Sequence, residues 1–274
     1  FLRPFGGLVL FSSFVFFALW RGGCRCWHVR LGFFLAFAFS LYVLFSWLGR
    51  ISFVTYLATF VLSVLLERKV RPLSLLMCGG LTMLFIVVCV YQVSVWLNLK
   101  AADNLVVFLT RELSFPFVSF FAQLNSGKHL TRGFRDLLVA PVYLLPSSWW
   151  TNWVESVGQI NTAVIMGAKK GEAGVTGAIP LDLMTLGLMQ ASVLGIVMVG
   201  ALFGFGLRVI QFLLDRIRNL HVRAVFEAYI AIKLAVLAVF YSQPALVVSG
   251  NFGLLVAVVI IVIFVKTPQV RLRK

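Results

Sequence analysis

The chain has 274 residues, of which 61% are hydrophobic and only 12% are charged, and it includes 27 Phe and 7 Trp. A soluble core of this size could not hide so much apolar surface, so the composition indicates a polytopic membrane protein and excludes a sizeable soluble domain. The net charge of +15 would suit a nucleic-acid partner, but the basic residues are distributed as membrane topology requires.

Seven apolar segments come near the length that a helix needs to cross a bilayer, about 20 residues. The first and third are short, and breaks rich in Arg, or in Gly and Pro, separate the segments. The sequence therefore predicts an all-α fold with about seven transmembrane helices. In chain order the predicted spans are Phe5 to Trp20, Leu31 to Gly49, Ile51 to Leu66, Leu73 to Leu97, Pro180 to Gly206, Ala224 to Ser242 and Ser249 to Val265.

The basic residues predict the orientation of these spans, because Lys and Arg accumulate in short connections on the cytoplasmic side. The connections after spans one, three and five and the C-terminal tail are basic, whereas those after spans two and six are nearly bare. The C-terminus is therefore expected in the cytoplasm, and residues 98–179 on the opposite, periplasmic side. Seven spans then put Phe1 outside as well, from which we expect that upstream spans precede this chain in a longer protein.

The predicted organisation has three parts: residues 1–97 with spans one to four, residues 98–179 as one large outer segment, and residues 180–274 with spans five to seven and a basic cytoplasmic tail. Two stretches of the outer segment, "NLVVFLTRELSFPFVSFFAQL" and "LLVAPVYLLPSSWWTNWVESV", are apolar enough for interfacial or re-entrant helices. Pro116, Pro141 and Pro146 are expected to break them. The outer segment is therefore predicted to be partly embedded in the membrane.

Charge is concentrated in this outer segment, and topology does not explain it, because long outer segments are exempt from the charge rule. On a helix, Arg132, Arg135 and Asp136 would share a face, where Asp136 could hold Arg132 in place. Arg presents a fixed fork of donors that matches phosphate oxygens, which makes Arg111, Arg132 and Arg135 better phosphate candidates than Lys128. The alternative is a solvated helix whose Arg residues contact anionic lipid headgroups.

Other ionisable residues of the outer segment are candidates for chemistry or substrate binding. Glu112 and His129 could each act as a general base, although an ion-pair role for Glu112 and a structural role for His129 stay open. The Gly-rich segment before span five carries Lys169 and Lys170, which could contact phosphate or sugar. This segment lacks the GxxxxGK[ST] pattern of a P-loop.

Two further charged residues lie within predicted spans. Asp182 is near the start of span five, where a carboxylate could serve a site or could only stabilise a helix N-terminus. Lys233 lies about 13 Å from the inner end of span six at 1.5 Å per residue. A charge at that depth usually faces a cavity or a partner, and the alternative is a tilted helix that enters water early.

The order of these features resembles the O-antigen or oligosaccharide repeat-unit polymerase family, called Wzy. The resemblance covers Arg111 to Gly206, about a third of the chain. It rests on "RE" in "TRELSFPFVSF", on "LLPS" before an aromatic pair in "YLLPSSWW", and on Gly-x-Thr-Gly before a Gly-rich span in "GVTGAIPLDLMTLGLMQASVLGIVMVGALFGFG". It implies a GT-C-like glycosyltransferase in the bacterial inner membrane with a periplasmic active site.

The resemblance also implies an activity: a growing glycan would pass from undecaprenyl diphosphate to a sugar hydroxyl of an incoming lipid-linked repeat unit, without a metal or a cofactor. Arg111, Arg132 and Arg135 would then bind the diphosphate, and Glu112 or His129 would accept the proton of the acceptor. The residues in supporting or substrate-binding roles would be Asp136, Lys128, Lys169, Lys170, Asp182 and Lys233.

The implied partners are the lipid-linked donor and acceptor, membrane lipids and a chain-length regulator protein, with no nucleic acid. Two alternatives stay open at this point. A ligase of similar layout would pass the glycan to lipid A core. A transporter or flippase would carry the same lipid-linked sugars, but it would usually show an internal repeat of spans and charges near the bilayer midplane.

Overall fold

The structure is a computed structural model, and it describes residues 3–24, 26–46, 50–67, 72–96, 104–126, 131–151, 153–175 and 177–266. Throughout these ranges the regular structure is helical and includes no strand. In chain order the helices are α1 (Arg3–Arg21), α2 (Trp27–Ser46), α3 (Arg50–Glu67), α4 (Pro72–Trp96), α5 (Leu105–Asn125), α6 (Arg135–Val139), a 3₁₀ helix (Ala140–Leu144), α7 (Ser147–Trp150), α8 (Val157–Met166), α9 (Leu183–Leu214), α10 (Leu220–Phe240), α11 (Pro244–Gly250) and α12 (Phe252–Lys266).

The predicted all-α fold is confirmed. Among the described residues, two helices are long and apolar enough to cross a membrane: the part of α2 from Trp27 to Phe45, and α9. These two helices support the assignment as a membrane protein by their length and composition. The count of seven spans stays a prediction.

The chain divides into two compact units. The first comprises residues 1–105, 208–233 and 252–274, and the second comprises residues 106–207 and 234–251. In the first unit α1 packs against α2 and α12, and α3 packs against α4.

Aromatic side chains form much of the core of the first unit. Phe14 of α1 packs against Phe60 of α3 and Tyr229 of α10, with ring centroids 4.9 and 5.1 Å apart. Tyr56 of α3 donates a hydrogen bond of 2.9 Å to the hydroxyl oxygen of Ser13 in α1. Since aromatic pairs contribute about 0.5–1.5 kcal/mol beyond the area they bury, these rings hold α1, α3 and α10 together.

One end of the first unit contains a buried carboxylate shared by two basic side chains. Glu67, the last residue of α3, pairs with Arg21 at the end of α1. Nδ1 of His221, near the start of α10, lies 3.2 Å from the same carboxylate. A buried charge is tolerated only with such partners, so this cluster joins the ends of three helices.

A buried polar network connects α5, α8 and the segment that leads into α9 in the second unit. The side chain of Asn161, which is fully buried, accepts a hydrogen bond of 3.0 Å from Gln123 and donates one of 3.0 Å to Ser119. Ser119 donates in turn to the carbonyl of Pro180 at 2.9 Å. Because each of these buried groups finds a partner, the network fixes the three elements relative to one another.

The three prolines of the outer segment behave differently from one another. Helix α5 continues through Pro116, so the expectation that Pro116 breaks this helix is wrong. An interior proline costs about 3 kcal/mol, and the buried hydrogen bonds of Ser119 and Gln123 just beyond it hold the second half of α5 in place. Pro141 is the second residue of the 3₁₀ helix that follows α6, and Pro146 immediately precedes α7, so the breaks predicted at these two prolines are confirmed.

Helix α9 is interrupted at Ala191 (φ −154°, ψ 40°) and Ser192 (φ 56°, ψ −142°). In a continuous helix Gly187 and Gly195 would lie about 12 Å apart. Instead, a Cβ atom added to Gly195 would lie 2.0 Å from the carbonyl oxygen of Gly187. The chain therefore folds back on itself at this break, and the fifth predicted span is not one continuous helix.

Apolar packing stabilises this fold-back. Val199, beyond the break, joins a buried cluster with Leu186 and Met189, which precede it, and with Val157 and Ile160 of α8. The part of α9 from residue 193 to residue 214 alone is about 33 Å long, which is enough to cross a bilayer.

Candidate functional site

The break in α9 is closed by the short segment that precedes α6. The backbone N–H of Arg132 donates to the carbonyl of Met189 at 3.0 Å, and that of Gly133 donates to the carbonyl of Gln190 at 2.9 Å. Carbonyls at the end of a helix have no partner within that helix, so they need donors from elsewhere. Two backbone hydrogen bonds thus fix Arg132 beside the break.

Arg132 and Asp136 form a two-pronged ion pair. Nε of Arg132 donates to Oδ2 of Asp136 at 2.7 Å, and Nη2 donates to Oδ1 at 3.0 Å. Asp136 is 2% exposed and the Arg132 side chain 17% exposed, so the pair is largely shielded from water. The predicted pairing is confirmed, and it holds the guanidinium in one orientation.

The local geometry behind this pair differs from the prediction. Helix α6 begins only at Arg135, and the residues before it, Gly133 and Phe134, have left-handed φ values of 56° and 63°. The expectation that Arg132, Arg135 and Asp136 lie on one helix is therefore wrong. The left-handed backbone at Gly133 and Phe134 keeps Arg132 out of the first turn of α6. Arg135 is consequently exposed, whereas Arg132 lies against the break.

Gln190 is a member of this site that sequence reasoning did not identify. It is fully buried at the end of the first part of α9, and its Nε2 donates to Oδ2 of Asp136 at 2.8 Å. Its Oε1 has no hydrogen-bond partner among the described residues. A signal was present, because Gln190 is a lone amide in the apolar run "LMTLGLMQASVLGIV", and polar groups in such runs usually face the protein interior.

Tyr143 lies within the electrostatic reach of the same charges. It is buried, and its ring meets that of Trp150 edge-on at 4.9 Å. Burial raises the pKa of the Tyr143 phenol, the negative charge of Asp136 raises it further, and the positive charges of Arg132 and Arg135 oppose that rise. The phenol therefore stays neutral at physiological pH.

Lys169 and Lys170 belong to a second group of charged residues. Nζ of Lys169 lies 2.7 Å from Oε1 of Glu155, and this hydrogen bond raises the pKa of the Lys169 amine. Both side chains are about half exposed, so water screens the pair. The backbone carbonyl of the same Glu155 accepts a hydrogen bond of 3.4 Å from Nη2 of Arg132. Glu155 thus connects the two groups.

Asp182 makes the contacts of a helix cap. Its Oδ1 accepts from the backbone N–H of Thr185 at 2.9 Å, and its Oδ2 accepts from the Thr185 hydroxyl. Both residues are buried at the start of α9. These hydrogen bonds satisfy a backbone donor of the first helical turn, which supports the helix-end interpretation of Asp182.

The remaining candidates are not brought to this site by the described contacts. Arg111 and Glu112 occupy consecutive positions of helix α5, and their side chains lie outside the described part of the structure. Lys128 and His129 lie outside the described residues. Lys233 is partly buried in α10 and belongs to the first unit.

The described geometry suits an anion better than it suits a metal ion. In the ranges that the structure covers, no three His, Cys, Asp or Glu side chains come together as a metal site. A guanidinium fixed beside an apolar helix, with the exposed Arg135 three residues further along, presents donors that match the oxygens of an anion. No protein-family model, no curated protein and no solved structure matches this chain.

Proposed function

We propose that the chain is a polysaccharide polymerase of the bacterial inner membrane. It transfers a growing glycan from undecaprenyl diphosphate to a sugar hydroxyl of an incoming lipid-linked repeat unit, without a metal. The proposal includes about seven spans in a GT-C-like arrangement, a partly embedded periplasmic loop over residues 98–179 and a cytoplasmic C-terminus. The observation that carries it is the ion pair of Arg132 and Asp136 at the break of an apolar helix.

The position and rigidity of this ion pair suit the binding of a lipid-linked diphosphate. The polyprenyl chain stays in the bilayer, so the diphosphate lies at the membrane surface, and fixed cations are needed beside a membrane helix. Arg132 is fixed by a buried carboxylate and by two backbone hydrogen bonds beside α9. A preorganised cation stabilises the charge that develops on the departing diphosphate without having to reorient during the reaction.

Arg132 and Arg135 are assigned different parts of this task. Nε and Nη2 of Arg132 already donate to Asp136, so Arg132 acts mainly through its fixed positive charge. Arg135 is exposed and offers its donors to the phosphate oxygens directly. Each charged hydrogen bond of this kind contributes about 1.5–3 kcal/mol. Arg111 is the third proposed diphosphate ligand.

The proposed base is Glu112, with His129 as the next residue to test. Consecutive residues on a helix point about 100° apart. We therefore assign Arg111 and Glu112 different roles, diphosphate binding for Arg111 and acceptance of the hydroxyl proton for Glu112. Removal of a proton from that hydroxyl as it attacks the sugar is the step that general-base catalysis accelerates.

A test in cells compares two exposed arginines. Arg135→Ala should abolish long glycan chains while chains of one repeat unit remain, and Arg135→Lys should slow elongation roughly ten- to a hundredfold because Lys lacks the planar fork. Arg218→Ala removes a matched exposed arginine from the basic connection before α10 and should leave the ladder unchanged. The readout is the gel ladder of glycans from a deletion strain that carries each variant. A normal ladder from Arg135→Ala would show that Arg135 does not bind the diphosphate and would favour a contact with lipid headgroups instead.

The break in α9 also favours a second candidate function, a transporter of lipid-linked oligosaccharides. Broken helices with polar residues at the break are typical of transporters, where they line the substrate path. The same gels distinguish the two functions. Loss of a transporter removes all glycan from the outer surface, whereas loss of a polymerase leaves the single-unit chains in place.

A further inference from the structure

The second unit contains an open cleft of about 310 Å³ beside the Arg132 pair. Its walls come from the segment before α8, from α8 itself and from the turn that follows it. Its lining includes the side chains of Trp153, Glu155, Gln159, Lys169, Lys170 and Glu172.

The lining of this cleft has the chemistry that recognises a sugar ring. Trp153 is 57% exposed and contributes an aromatic side chain, against which the apolar C–H groups of a pyranose ring can pack. Gln159 and the charged residues contribute donors and acceptors for hydroxyl groups. Polar side chains make up most of the lining, and they can fix the orientation of a sugar around its apolar contact with Trp153.

The charges of the cleft balance. It contains two lysines and two glutamates, and Lys169 pairs with Glu155 across it. A phosphate site would carry an excess of positive charge, as the segment around Arg132 and Arg135 does. The cleft is therefore suited to an uncharged sugar and not to the diphosphate.

The walls of the cleft are held by local hydrogen bonds. The hydroxyl of Ser156 accepts the backbone N–H of Gln159 at 3.4 Å and caps α8. The carboxylate of Glu172 accepts the backbone N–H of Lys169 at 3.1 Å, and the N–H of Gly171 bonds to the carbonyl of Val175 at 2.8 Å. These bonds hold the donors and acceptors of the cleft in place before a ligand arrives.

Glu155 connects the cleft to the proposed diphosphate site. Its carbonyl accepts a hydrogen bond from Arg132, and its carboxylate pairs with Lys169 inside the cleft. In a lipid-linked glycan the first sugar is joined directly to the diphosphate, and the next sugars follow it. Such a substrate requires a sugar site next to the diphosphate site. Glu155, which contacts both Arg132 and Lys169, places the cleft in that position.

We propose that this cleft is a subsite for uncharged sugar residues of the glycan, with the side chain of Trp153 as its apolar platform. The identity of the glycan as a lipid-linked substrate rests on the proposed function. The sugar-binding property of the cleft does not depend on it.

The test measures binding of a free oligosaccharide, released by mild acid from the lipid-linked intermediates of the source organism, to the purified full chain by calorimetry. Trp153→Ala should weaken binding at least about tenfold, a loss of about 1.4 kcal/mol. Trp153→Phe keeps an aromatic ring and should bind nearly as the unchanged protein does. Trp149→Ala is the matched control, because Trp149 is 67% exposed but does not line the cleft. Lys170→Met, which removes a donor of the cleft, is the second variant if Trp153→Ala does not fold.

Elongation of the intact lipid-linked repeat unit, assayed with the same variants, separates the two proposals. If elongation occurs and Trp153→Ala raises the KM for the lipid-linked repeat unit, both the subsite and the polymerase function are supported. If elongation occurs but Trp153→Ala and Lys170→Met leave binding and KM unchanged, the subsite is wrong and the polymerase function stands. If the free oligosaccharide binds through Trp153 but no elongation occurs, the subsite stands and the polymerase function is wrong. If the free oligosaccharide does not bind, the subsite is overturned.

Discussion

Asp136 is the residue on which the candidate site depends most. Its carboxylate is almost completely buried and accepts hydrogen bonds from Nε and Nη2 of Arg132 and from Nε2 of Gln190. These donors come from the outer segment and from α9, so a single side chain joins the two elements. Buried ionic groups of this kind stabilise little by themselves, but removing one partner leaves the other charge uncompensated.

Asp136→Asn should therefore destabilise the protein by about 3 kcal/mol, because the largely shielded guanidinium of Arg132 loses its counter-charge. Asp215→Asn is the matched control, since Asp215 also pairs with an arginine, Arg223, but its side chain is 51% exposed. The control should cost less than about 1 kcal/mol. The measurement is the free energy of unfolding in mixed micelles, followed by circular dichroism. Equal losses for the two variants would show that the Arg132 pair is no more shielded than a surface pair.

The break in α9 is the element that organises the second unit. Ser192 has a positive φ that residues other than glycine rarely adopt, and this strain is offset by the apolar cluster that the fold-back buries. Gly187 and Gly195 let the two parts of α9 meet backbone to backbone. A side chain at either position would separate them.

Gly195→Ala should destabilise the protein by about 2 kcal/mol, because its methyl group would overlap the carbonyl of Gly187 and a backbone atom has little room to move. Gly200→Ala is the control in the same helix. A Cβ atom there meets nothing within 4 Å, so this variant should be neutral or more stable by up to about 1 kcal/mol. Thermal unfolding of the two variants in one detergent makes the comparison. Equal behaviour of the two would mean that α9 does not fold back at Ser192.

The helices themselves follow from the sequence, because long apolar runs between basic or Gly/Pro-rich breaks have no other way to satisfy their backbone in a membrane. The helix through Pro116 and the break in α9 could not be predicted from the sequence in this way. The helix through Pro116 depends on hydrogen bonds that Ser119 and Gln123 make with distant residues. The break in α9 depends on contacts between Gly187 and Gly195, and a Gly-rich apolar run is equally compatible with a straight helix.

The candidate site was predicted in part, and for a partly wrong reason. The spacing of Arg132 and Asp136 correctly predicted their ion pair. The pair forms through a left-handed turn, however, and not along a helix face. The apolar run around Gln190 indicates that its amide faces the interior, but its partner Asp136 lies more than 50 residues away, and a local pattern does not contain that contact.

For the molecule as a whole, the orientation in the membrane is a prediction that rests on the basic connections. We expect Lys170 on the periplasmic side and Arg218 on the cytoplasmic side. With the native cysteines replaced, a cysteine at position 170 should react with a membrane-impermeant thiol reagent in intact spheroplasts. A cysteine at position 218 should react only after the membrane is opened. Identical labelling of the two positions would contradict the predicted topology and with it a periplasmic active site.

Reconstitution of the purified protein in liposomes shows most directly whether the chain elongates a lipid-linked glycan. The liposomes would contain one kind of undecaprenyl-diphosphate-linked repeat unit, and the products would be separated by length. We expect glycans of two and more units, with one undecaprenyl diphosphate released for each glycosidic bond formed. Arg135→Ala should form no such products, and Arg218→Ala should form them normally. Repeat units that stay single while they move intact across the bilayer would contradict the claim and identify a transporter.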